Sequence, residues 1–450
     1  MESRAFRAEP ASPHCRPGGP ARPSVPTWAR SVVTTSVLHD VETPGAEGPR
    51  DRGTERLTAP SSRHRWIGDQ AAFELLMEEL VGVPAVGMDT EFHRERSYFP
   101  HLDLLQLAWP AGLALVDPLA VDLSGLARLL DSPTVVVAHA AEQDLEVLER
   151  ACGTVPQRLF DTQVAAGFLG MSTPSLSTLV DRLLNRRLAK GDRLTDWSRR
   201  PLSQAQQDYA AADVEHLLEL HQVLIHQLAA QGRLTWAEQE CALLASRDRR
   251  PPDPSQAWWR IKAARQLRGA ARGVAQAVAA WRETTAAASD RPARMVLPEL
   301  ALMSIAHRPP RDLTELSQVR GLESRRLRES MASEVMQAVA VGLALDDARL
   351  CLPPEEEMDR VQRPAAALAM AWLAQRASEL RIDAGLLATR ADVQALLAAE
   401  PGGRVALGWR YELVGRGLIR LVAGEAALAM GPNGRLVCEA RSHQAIDLQI

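Results

Sequence analysis

Two acidic residues of one predicted strand could bind a cation between them. Residues 86–91 read Val-Gly-Met-Asp-Thr-Glu, and alternation along a strand sends Asp89 and Glu91 to the same side, with Thr90 pointing the other way. Two carboxylates this close repel each other unless a cation lies between them. Such pairs are common on exposed strands, but the residues that lead into Asp89 are apolar, which favours the end of a buried strand. The segment is therefore a candidate cation site.

Two further segments could bring more acids and a tyrosine to the same place. Asp144 is expected in the first turns of a helix that follows a strand, where the helix dipole favours an acid for structural reasons alone. Tyr209 and Asp213 lie four residues apart and share one face of a helix, and the three alanines between them could let backbone or substrate approach closely. Each segment alone has a structural explanation. Four carboxylates together with a tyrosine are harder to explain in that way.

The elements that would position these residues predict a sheet flanked by helices. From residue 66 onwards, short apolar runs alternate with amphipathic stretches. Pro110, Ala111 and Gly112 supply a turn between two strands, which predicts a three-stranded meander. After the last predicted strand, the chain up to residue 244 is expected to form helices separated by loops. The predicted strands are residues 85–92, 103–109, 113–116 and 134–139, and the predicted helices are residues 71–80, 123–130 and 142–152.

Changes in composition along the chain predict four regions. Residues 1–62 are rich in proline and glycine without apolar periodicity, which is typical of a disordered tail. An α/β domain is expected at residues 63–246. Two proline-rich breaks, at residues 247–254 and 353–364, then delimit two helical blocks that could be copies of one module. These blocks are expected at residues 253–345 and 360–445.

The composition of the 450 residues excludes several classes of protein. Hydrophobic residues make up 46% and charged residues 24%, as in globular proteins with a substantial core. The longest charge-free stretch, residues 162–180, is interrupted by Gly and Pro, so we expect no membrane span. The five cysteines contain no CxxC pair, which argues against a structural zinc or a disulfide framework and favours the cytoplasm. With a net charge of −4, a nucleic acid would have to be held by local basic patches or bound metal.

The order and spacing of these residues resemble a family of nucleases. Acids in the order Asp, Glu, Asp, Asp, with Tyr209 four residues before the last, resemble the tyrosine branch of the DEDD superfamily of 3′-to-5′ exonucleases. The histidine branch would place His at position 208, which is Asp208 here. Within the tyrosine branch, longer strings resemble the ribonuclease D family over about residues 66–228. These strings include Met88-Asp89-Thr90-Glu91-Phe92, Ser97-Tyr98-Phe99-Pro100, Leu104-Leu105-Gln106-Leu107, Val116-Asp117-Pro118-Leu119, Phe160-Asp161-Thr162-Gln163 and Thr195-Asp196-Trp197.

The C-terminal half extends the resemblance to a small helical bundle called the HRDC domain. The strings are Ala257-Trp258-Trp259-Arg260-Ile261-Lys262, Ala280-Trp281-Arg282 and Val319-Arg320-Gly321-Leu322, and a weaker one is Gly408-Trp409-Arg410 in the second helical block. The resemblance implies an α/β RNase H-like exonuclease domain with a mixed sheet, followed by all-α HRDC-type domains.

The resemblance also implies the chemistry of the site. Two divalent ions, Mg²⁺ or Mn²⁺, would be held by Asp89, Glu91, Asp144 and Asp213, with Asp89 bridging both. Such hard ions prefer oxygen ligands and need no His or Cys. Tyr209 would orient the attacking water. Substrate contacts are expected from Thr90, Phe92, Tyr98 and His139, although His139 and the aromatic residues also suit structural roles. Asp161 and Asp196 could support the site or cap loops.

The expected substrate is the 3′ end of single-stranded RNA, because the family trims tRNA precursors and other small RNAs to release nucleoside 5′-monophosphates. Eight Lys or Arg against two Asp in residues 247–272 could contact backbone phosphates, and a solvated linker explains them equally well. Two alternatives remain open. One is a DNA-directed exonuclease, since no residue identifies a contact with a 2′-hydroxyl. The other is an inactive nucleic-acid-binding protein on the same scaffold. The oligomeric state also remains open.

Overall fold

A computed structural model of the chain describes residues 64–188, 195–322, 328–353, 361–400 and 402–442. The expected N-terminal tail, residues 1–62, lies outside the described residues. Three parts follow along the chain: the α/β part (residues 64–245), the first helical part (residues 254–353) and the second helical part (residues 361–442). Among the described residues, no helix combines the length and apolar character that a membrane span requires.

A six-stranded mixed sheet forms the centre of the α/β part. Its strands are β1 (Arg65–Ile67), β2 (Ala85–His93), β3 (His101–Trp109), β4 (Gly112–Val116), β5 (Val135–Ala138) and β6 (Leu159–Asp161). Their order across the sheet is β1-β4-β3-β2-β5-β6. The predicted meander is present, because β2, β3 and β4 pair antiparallel, whereas β1, β5 and β6 each pair parallel with a neighbour. The short edge strands β1 and β6 were not predicted.

Helices cover both faces of this sheet. They are α1 (Gln70–Leu80), α2 (Ala127–Leu130), α3 (Glu142–Cys152), α4 (Thr162–Gly167), α5 (Leu176–Leu184), α6 (Gln204–Glu215), α7 (Leu217–Ala230) and α8 (Leu234–Ala245). The predicted helix at residues 123–130 begins as a 3₁₀ turn, Leu123–Leu126, that continues into α2. Strand β2 alternates between the two faces: Val86 and Met88 pack in the core with α1, and Gly87 lies against Leu217 of α7.

The first helical part has an apolar core of its own. Two 3₁₀ turns, Pro254–Arg260 and Ala264–Gln266, precede α9 (Ala270–Ala288), α10 (Ala293–Val296), α11 (Glu299–His307), α12 (Leu313–Ser317) and α13 (Glu329–Leu343). Trp258, Val274 and Leu302 are buried in this core. Helices α9 and α13 cross at Gly273 and Gly342, since a Cβ on Gly273 would lie 2.4 Å from the carbonyl oxygen of Gly342.

The second helical part packs directly on the α/β part. It contains α14 (Arg363–Leu380), α15 (Ala384–Leu387), α16 (Arg390–Leu397), α17 (Gly408–Arg410), a π-helical segment (Tyr411–Gly415) and α18 (Arg416–Val422). An antiparallel hairpin, β7 (Ala426–Met430) and β8 (Leu436–Ala440), follows where only helix was predicted. Trp372 and Leu418 share one apolar core with Phe168 and Leu224 of the α/β part.

The β2–β3 loop, residues 94–100, joins the α/β part to the first helical part. Asp290, just after α9, accepts hydrogen bonds from the backbone N–H groups of Tyr98 and Phe99, each at 3.1 Å. The Tyr98 hydroxyl donates to Oε1 of Glu283 at 2.8 Å, and Arg294 donates to the carbonyl oxygen of Glu95 at 3.0 Å. The loop that follows the acidic strand β2 is therefore held by the first helical part.

Candidate active site

Three of the predicted acids converge where α6 crosses β2. Asp89 and Glu91 come from the same face of β2, and Asp213 comes from α6. One carboxylate oxygen from each lies within 4.8 Å of the other two. Gly87 permits this approach, because a Cβ there would lie 3.2 Å from Cβ of Leu217 and 3.4 Å from the carbonyl oxygen of Val214. The glycine two residues before Asp89 thus allows the α6–α7 junction to lie close to the strand.

The fourth acid, Asp144, lies in the first turn of α3, as predicted. The turn before α3 is held by Asp161, whose carboxylate accepts hydrogen bonds from the N–H groups of Ala140 at 3.1 Å and Ala141 at 2.8 Å. Ala140 needs this support because it has a left-handed φ of 57°. The Thr90 hydroxyl donates a hydrogen bond to Oδ1 of Asp144. Thr90, predicted as a substrate contact, thus connects the strand that carries Asp89 and Glu91 to Asp144.

Burial and the charges of neighbouring acids raise the pKa values of Asp89, Glu91 and Asp144 in the absence of a cation. Burial raises the pKa of Asp89 well above its usual range, and the charges of Asp144, Asp213 and Glu91 raise it further. Burial likewise raises the pKa of Glu91 to about 8, with contributions from Asp213 and Asp144. The pKa of Asp144 is raised to about 6 by burial, although the hydrogen bond from Thr90 favours its charged form. A cation would reverse these effects by stabilising the ionised carboxylates.

The donor set suits a hard divalent cation. All four acids offer carboxylate oxygens, the ligands that Mg²⁺ and Mn²⁺ prefer. No Cys or His is among the three groups whose ligand atoms converge in the described part of the chain. The residues present therefore fit the metal that the sequence led us to expect.

Tyr209 and most of the expected substrate contacts line one open cleft with the acids. The cleft encloses about 580 Å³, and Thr90, Phe92, His139 and Tyr209 line it. Tyr209 lies one turn before Asp213 on α6, with its ring centroid 6.1 Å from that of Trp197. Tyr98 does not line this cleft. Tyr98 was expected to contact the substrate, but its hydroxyl donates a hydrogen bond to Glu283 of the first helical part.

His139 and two further acids have clear structural partners. Nδ1 of His139 lies 2.9 Å from Oγ1 of Thr162, which itself donates to the carbonyl oxygen of Ala138, so the hydroxyl accepts from His139. Burial lowers the pKa of His139. Asp161 also caps α4 by accepting from the N–H groups of Gln163 and Val164. Asp196 accepts a hydrogen bond from the N–H of Ser198 at 3.2 Å, as a loop-capping acid would.

Two charged residues at the rim of the cleft were not predicted as a pair. Arg247, from the basic stretch after α8, forms an ion pair with Glu142 at the start of α3, with an N···O distance of 2.5 Å. Both residues also line a second cavity of about 670 Å³, which extends between the α/β part and the first helical part. Among the residues lining it are Arg94, Arg150, Arg249, Arg250 and Arg260, together with Glu146, Glu149, Asp248 and Glu283. In the sequence, the location of Glu142 at this rim is indicated only by its position two residues before Asp144.

Comparison with known families and relatives agrees with this geometry. A 3′-5′ exonuclease family matches residues 64–229, and an HRDC domain matches residues 271–339. Ribonuclease D of Zymomonas mobilis is 35% identical over 381 residues, which cover 82% of this chain and 96% of the relative. Ribonuclease D of Jannaschia sp. is 39% identical over 363 residues, which cover 77% of this chain and 92% of the relative.

A solved structure extends the likeness to the fold. The crystal structure of Escherichia coli RNase D, described as an exoribonuclease involved in structured RNA processing, superimposes with a TM-score of 0.72 at 32% identity. The match covers 81% of this chain and 99% of that one, so it extends beyond the α/β part into both helical parts. A protein from Bifidobacterium adolescentis shares the fold at 24% identity, with a TM-score of 0.63, over 80% of this chain and 97% of its own. From its sequence, its sheet and its converging acids, the chain belongs to the ribonuclease D family.

Proposed function

We propose that this chain, a 3′-5′ exoribonuclease by family, shortens RNA with two divalent ions, Mg²⁺ or Mn²⁺, and releases nucleoside 5′-monophosphates. The observation that carries the proposal is the convergence of acids from three separate elements, β2, α3 and α6, in one cleft. Acids whose pKa values are raised by burial and by one another's charge are costly to bring together, so their convergence supports a site built for metal.

Each side chain has a distinct proposed role. Two divalent ions activate a water and stabilise charge on the leaving oxygen in phosphodiester hydrolysis. Asp89, Glu91 and Asp213 would bind the two metal ions where β2 meets α6, and Asp144 would be the fourth acidic ligand, from α3. The Tyr209 hydroxyl would orient the attacking water by a hydrogen bond, because a phenol with a pKa near 10 is a poor general base.

The proposed substrate is the single-stranded 3′ end of tRNA precursors and other small RNAs. The rim that the cleft shares with the second cavity supports this, because Arg247 lines both and could contact a backbone phosphate upstream of the reacting nucleotide. Phe92, which lines the cleft and carries Arg94 over its ring at 5.6 Å, could stack on a terminal base. A cytoplasmic location, expected from the cysteines, also stays a prediction.

We further propose that the chain contains an exonuclease domain at residues 63–246 and two HRDC-type domains, at residues 253–345 and 360–445. The separate apolar core of the first helical part supports the first HRDC boundary. The second assignment has weaker support, because the terminal hairpin is an addition to an all-helical bundle.

A degradation assay with one catalytic variant and one matched control tests the proposed function. Purified protein is incubated with 5′-labelled single-stranded RNA carrying a 3′-hydroxyl, in Mg²⁺, in Mn²⁺ and in EDTA, beside DNA of the same sequence. We expect a ladder of products that shortens from the 3′ end and requires metal. In Asp89→Asn we expect the rate of degradation to fall by a factor of roughly 10² to 10³. Asp208→Asn, an exposed acid on α6, should retain full activity.

Each alternative has its own result in this assay. Degradation of the DNA in preference to the RNA would identify a DNA-directed exonuclease. Binding of the RNA without a ladder in either metal would overturn the enzymatic proposal and leave a nucleic-acid-binding protein. A ladder that persists in Asp89→Asn would show that the nuclease activity comes from another site or a contaminant.

A further inference from the structure

A buried amide lies beside the acidic cluster without a partner. Gln106, in the middle of β3, has no exposed surface. Neither its side-chain Nε2 nor its Oε1 has a hydrogen-bond partner among the described residues. Buried polar groups in proteins are nearly always hydrogen-bonded, because an unsatisfied buried amide destabilises the fold. Gln106 therefore requires an explanation that the folded chain alone does not supply.

The pairing of strands places this amide next to the candidate metal site. In the antiparallel β2–β3 pair, Gln106 lies directly opposite Asp89. Directly opposed residues of an antiparallel pair share one face of the sheet, with Cβ atoms about 5 Å apart. On its other side Gln106 lies opposite Leu115 of β4, which is fully buried and apolar. Asp89 is thus the polar side chain that the register brings beside the amide.

Helix α6 encloses the amide from above. Leu104, two residues before Gln106 on β3, packs with Ala210 of α6, and Ala108, two residues after it, belongs to the core that contains Val214. Gln106 therefore lies beneath the helix that carries Tyr209 and Asp213, between apolar neighbours. In such surroundings an apolar side chain of the same length would pack without cost, so the presence of an amide calls for a role beyond packing.

We propose that Gln106 is a positioning residue for Asp89. Its Nε2 group donates a hydrogen bond to the Asp89 carboxylate when that carboxylate binds a metal, and thereby fixes the orientation of the ligand. Metal-binding carboxylates are commonly held by such hydrogen bonds, and loss of one typically weakens metal affinity or activity by about 10- to 100-fold. The inference rests on the proposed metal-dependent function.

Two measurements on Gln106→Met test this role. Methionine keeps the length of the side chain but removes the amide, so the metal-free protein loses an unpaired polar group. We expect its thermal unfolding midpoint in EDTA to equal or exceed that of the unmodified protein. We expect its dissociation constant for Mn²⁺, measured by calorimetry without RNA, to increase by about 10-fold. Leu115→Met, at the register position on the other side of Gln106, should leave the dissociation constant within about twofold.

The result that would overturn the proposal is equally specific. A Mn²⁺ affinity of Gln106→Met within twofold of the unmodified protein, or a lowered midpoint in EDTA, would show that the amide stabilises the fold rather than the ligand. If Gln106→Met does not fold, Gln106→Leu is used, and failure of both to fold in EDTA would also overturn it. Absence of Mn²⁺ binding by the unmodified protein would instead overturn the proposed function itself, and this inference with it.

Discussion

Acids in the metal-free cleft retain their protons to unusually high pH because they are buried. The pKa of Glu91 is raised to about 8 and that of Asp144 to about 6. In an unfolded chain the same groups would titrate near 4. Between these limits the folded chain binds more protons than the unfolded chain, so its stability falls as the pH rises.

A pH series of unfolding measurements in EDTA tests this linkage. We expect the unfolding midpoint to fall as the pH increases from about 6 to about 8, because over this range Glu91 holds its proton in the folded chain and is ionised in the unfolded chain, whereas Asp144 contributes only up to about pH 6. Glu91→Gln removes this difference in protonation, so it should flatten the dependence and raise the midpoint at the alkaline end by a few degrees. Glu78→Gln, at an exposed position of α1, serves as the control. A midpoint that rises over this range in the unmodified protein would contradict the assignment.

Removal of a single hydroxyl separates the role of Tyr209 from metal binding. We expect Tyr209→Phe to lower kcat by roughly 10²-fold, because the attacking water loses a positioning hydrogen bond. The ring that packs beside Trp197 is retained, so metal affinity should be unchanged. Calorimetric titration with Mn²⁺ and single-turnover rates on labelled RNA measure the two effects. Tyr411→Phe, in the second helical part, is the matched control, and an equal loss of metal affinity in Tyr209→Phe would contradict a water-positioning role.

Residues adjacent in the sequence were easier to predict for the site than residues adjacent in space. Asp89 and Glu91 share a face because strands alternate, and Tyr209 and Asp213 because helices turn, so their spacing alone indicates their relation. Gln106 carries no such signal, because its place beside Asp89 depends on the register between two strands. The partner of Tyr98, Glu283, lies in another part of the fold, so the sequence alone could not indicate this contact.

At the scale of elements, Asp161 connects the turn before α3 to the start of α4. We expect Asp161→Ala to lower the free energy of unfolding by about 3 kcal/mol or more, because four backbone N–H groups lose a charged acceptor. The turn also places Asp144, so the same variant should have weakened Mn²⁺ affinity. Urea denaturation in EDTA measures the first effect, and calorimetry measures the second.

An exposed cap provides the comparison for Asp161. Asp69 caps α1 by accepting one hydrogen bond from the N–H of Ala72, so Asp69→Ala should cost only about 1 kcal/mol and leave Mn²⁺ affinity unchanged. Equal losses of stability in the two variants would show that Asp161 acts as an ordinary helix cap.

Elements long enough to show a repeating pattern were easier to predict than the three-residue strands. Strand β2 and helix α3 are long enough to show a period, and residues 142–152 of α3 match the predicted bounds. Strands β1 and β6 have three residues each, too few for alternation to be visible, and they form by pairing with the neighbouring strands β4 and β5. The hairpin at Ala426–Met430 and Leu436–Ala440 is rich in alanine and leucine, residues that favour helix, so tertiary context determined its form.

At the scale of the whole molecule, a buried ion pair joins the second helical part to α8. Arg410 and Glu240 have side chains only 5% and 10% exposed, with a charged contact at 2.6 Å. We expect Arg410→Ala to cost about 3 to 5 kcal/mol, because Glu240 would remain buried without its partner. Arg416→Ala breaks an exposed pair with Glu412 and should cost at most about 1 kcal/mol. Chemical denaturation of both variants measures the difference, and similar losses would show that the buried pair does not stabilise the interface.

The apolar core that the α/β part shares with the second helical part restricts how the C-terminal part of the chain can change during evolution. Trp409 stacks on Trp236 with ring centroids 5.5 Å apart, and Phe168 packs edge-on to Trp409 at 5.2 Å. Removal of the second helical part would expose Phe168 and Trp236 to water, whereas the first helical part keeps Trp258 inside its own core. Deletion or exchange of the C-terminal part during evolution thus requires compensating changes at Phe168, just after α4, and at Trp236 on α8, so the nuclease and its C-terminal part must vary together.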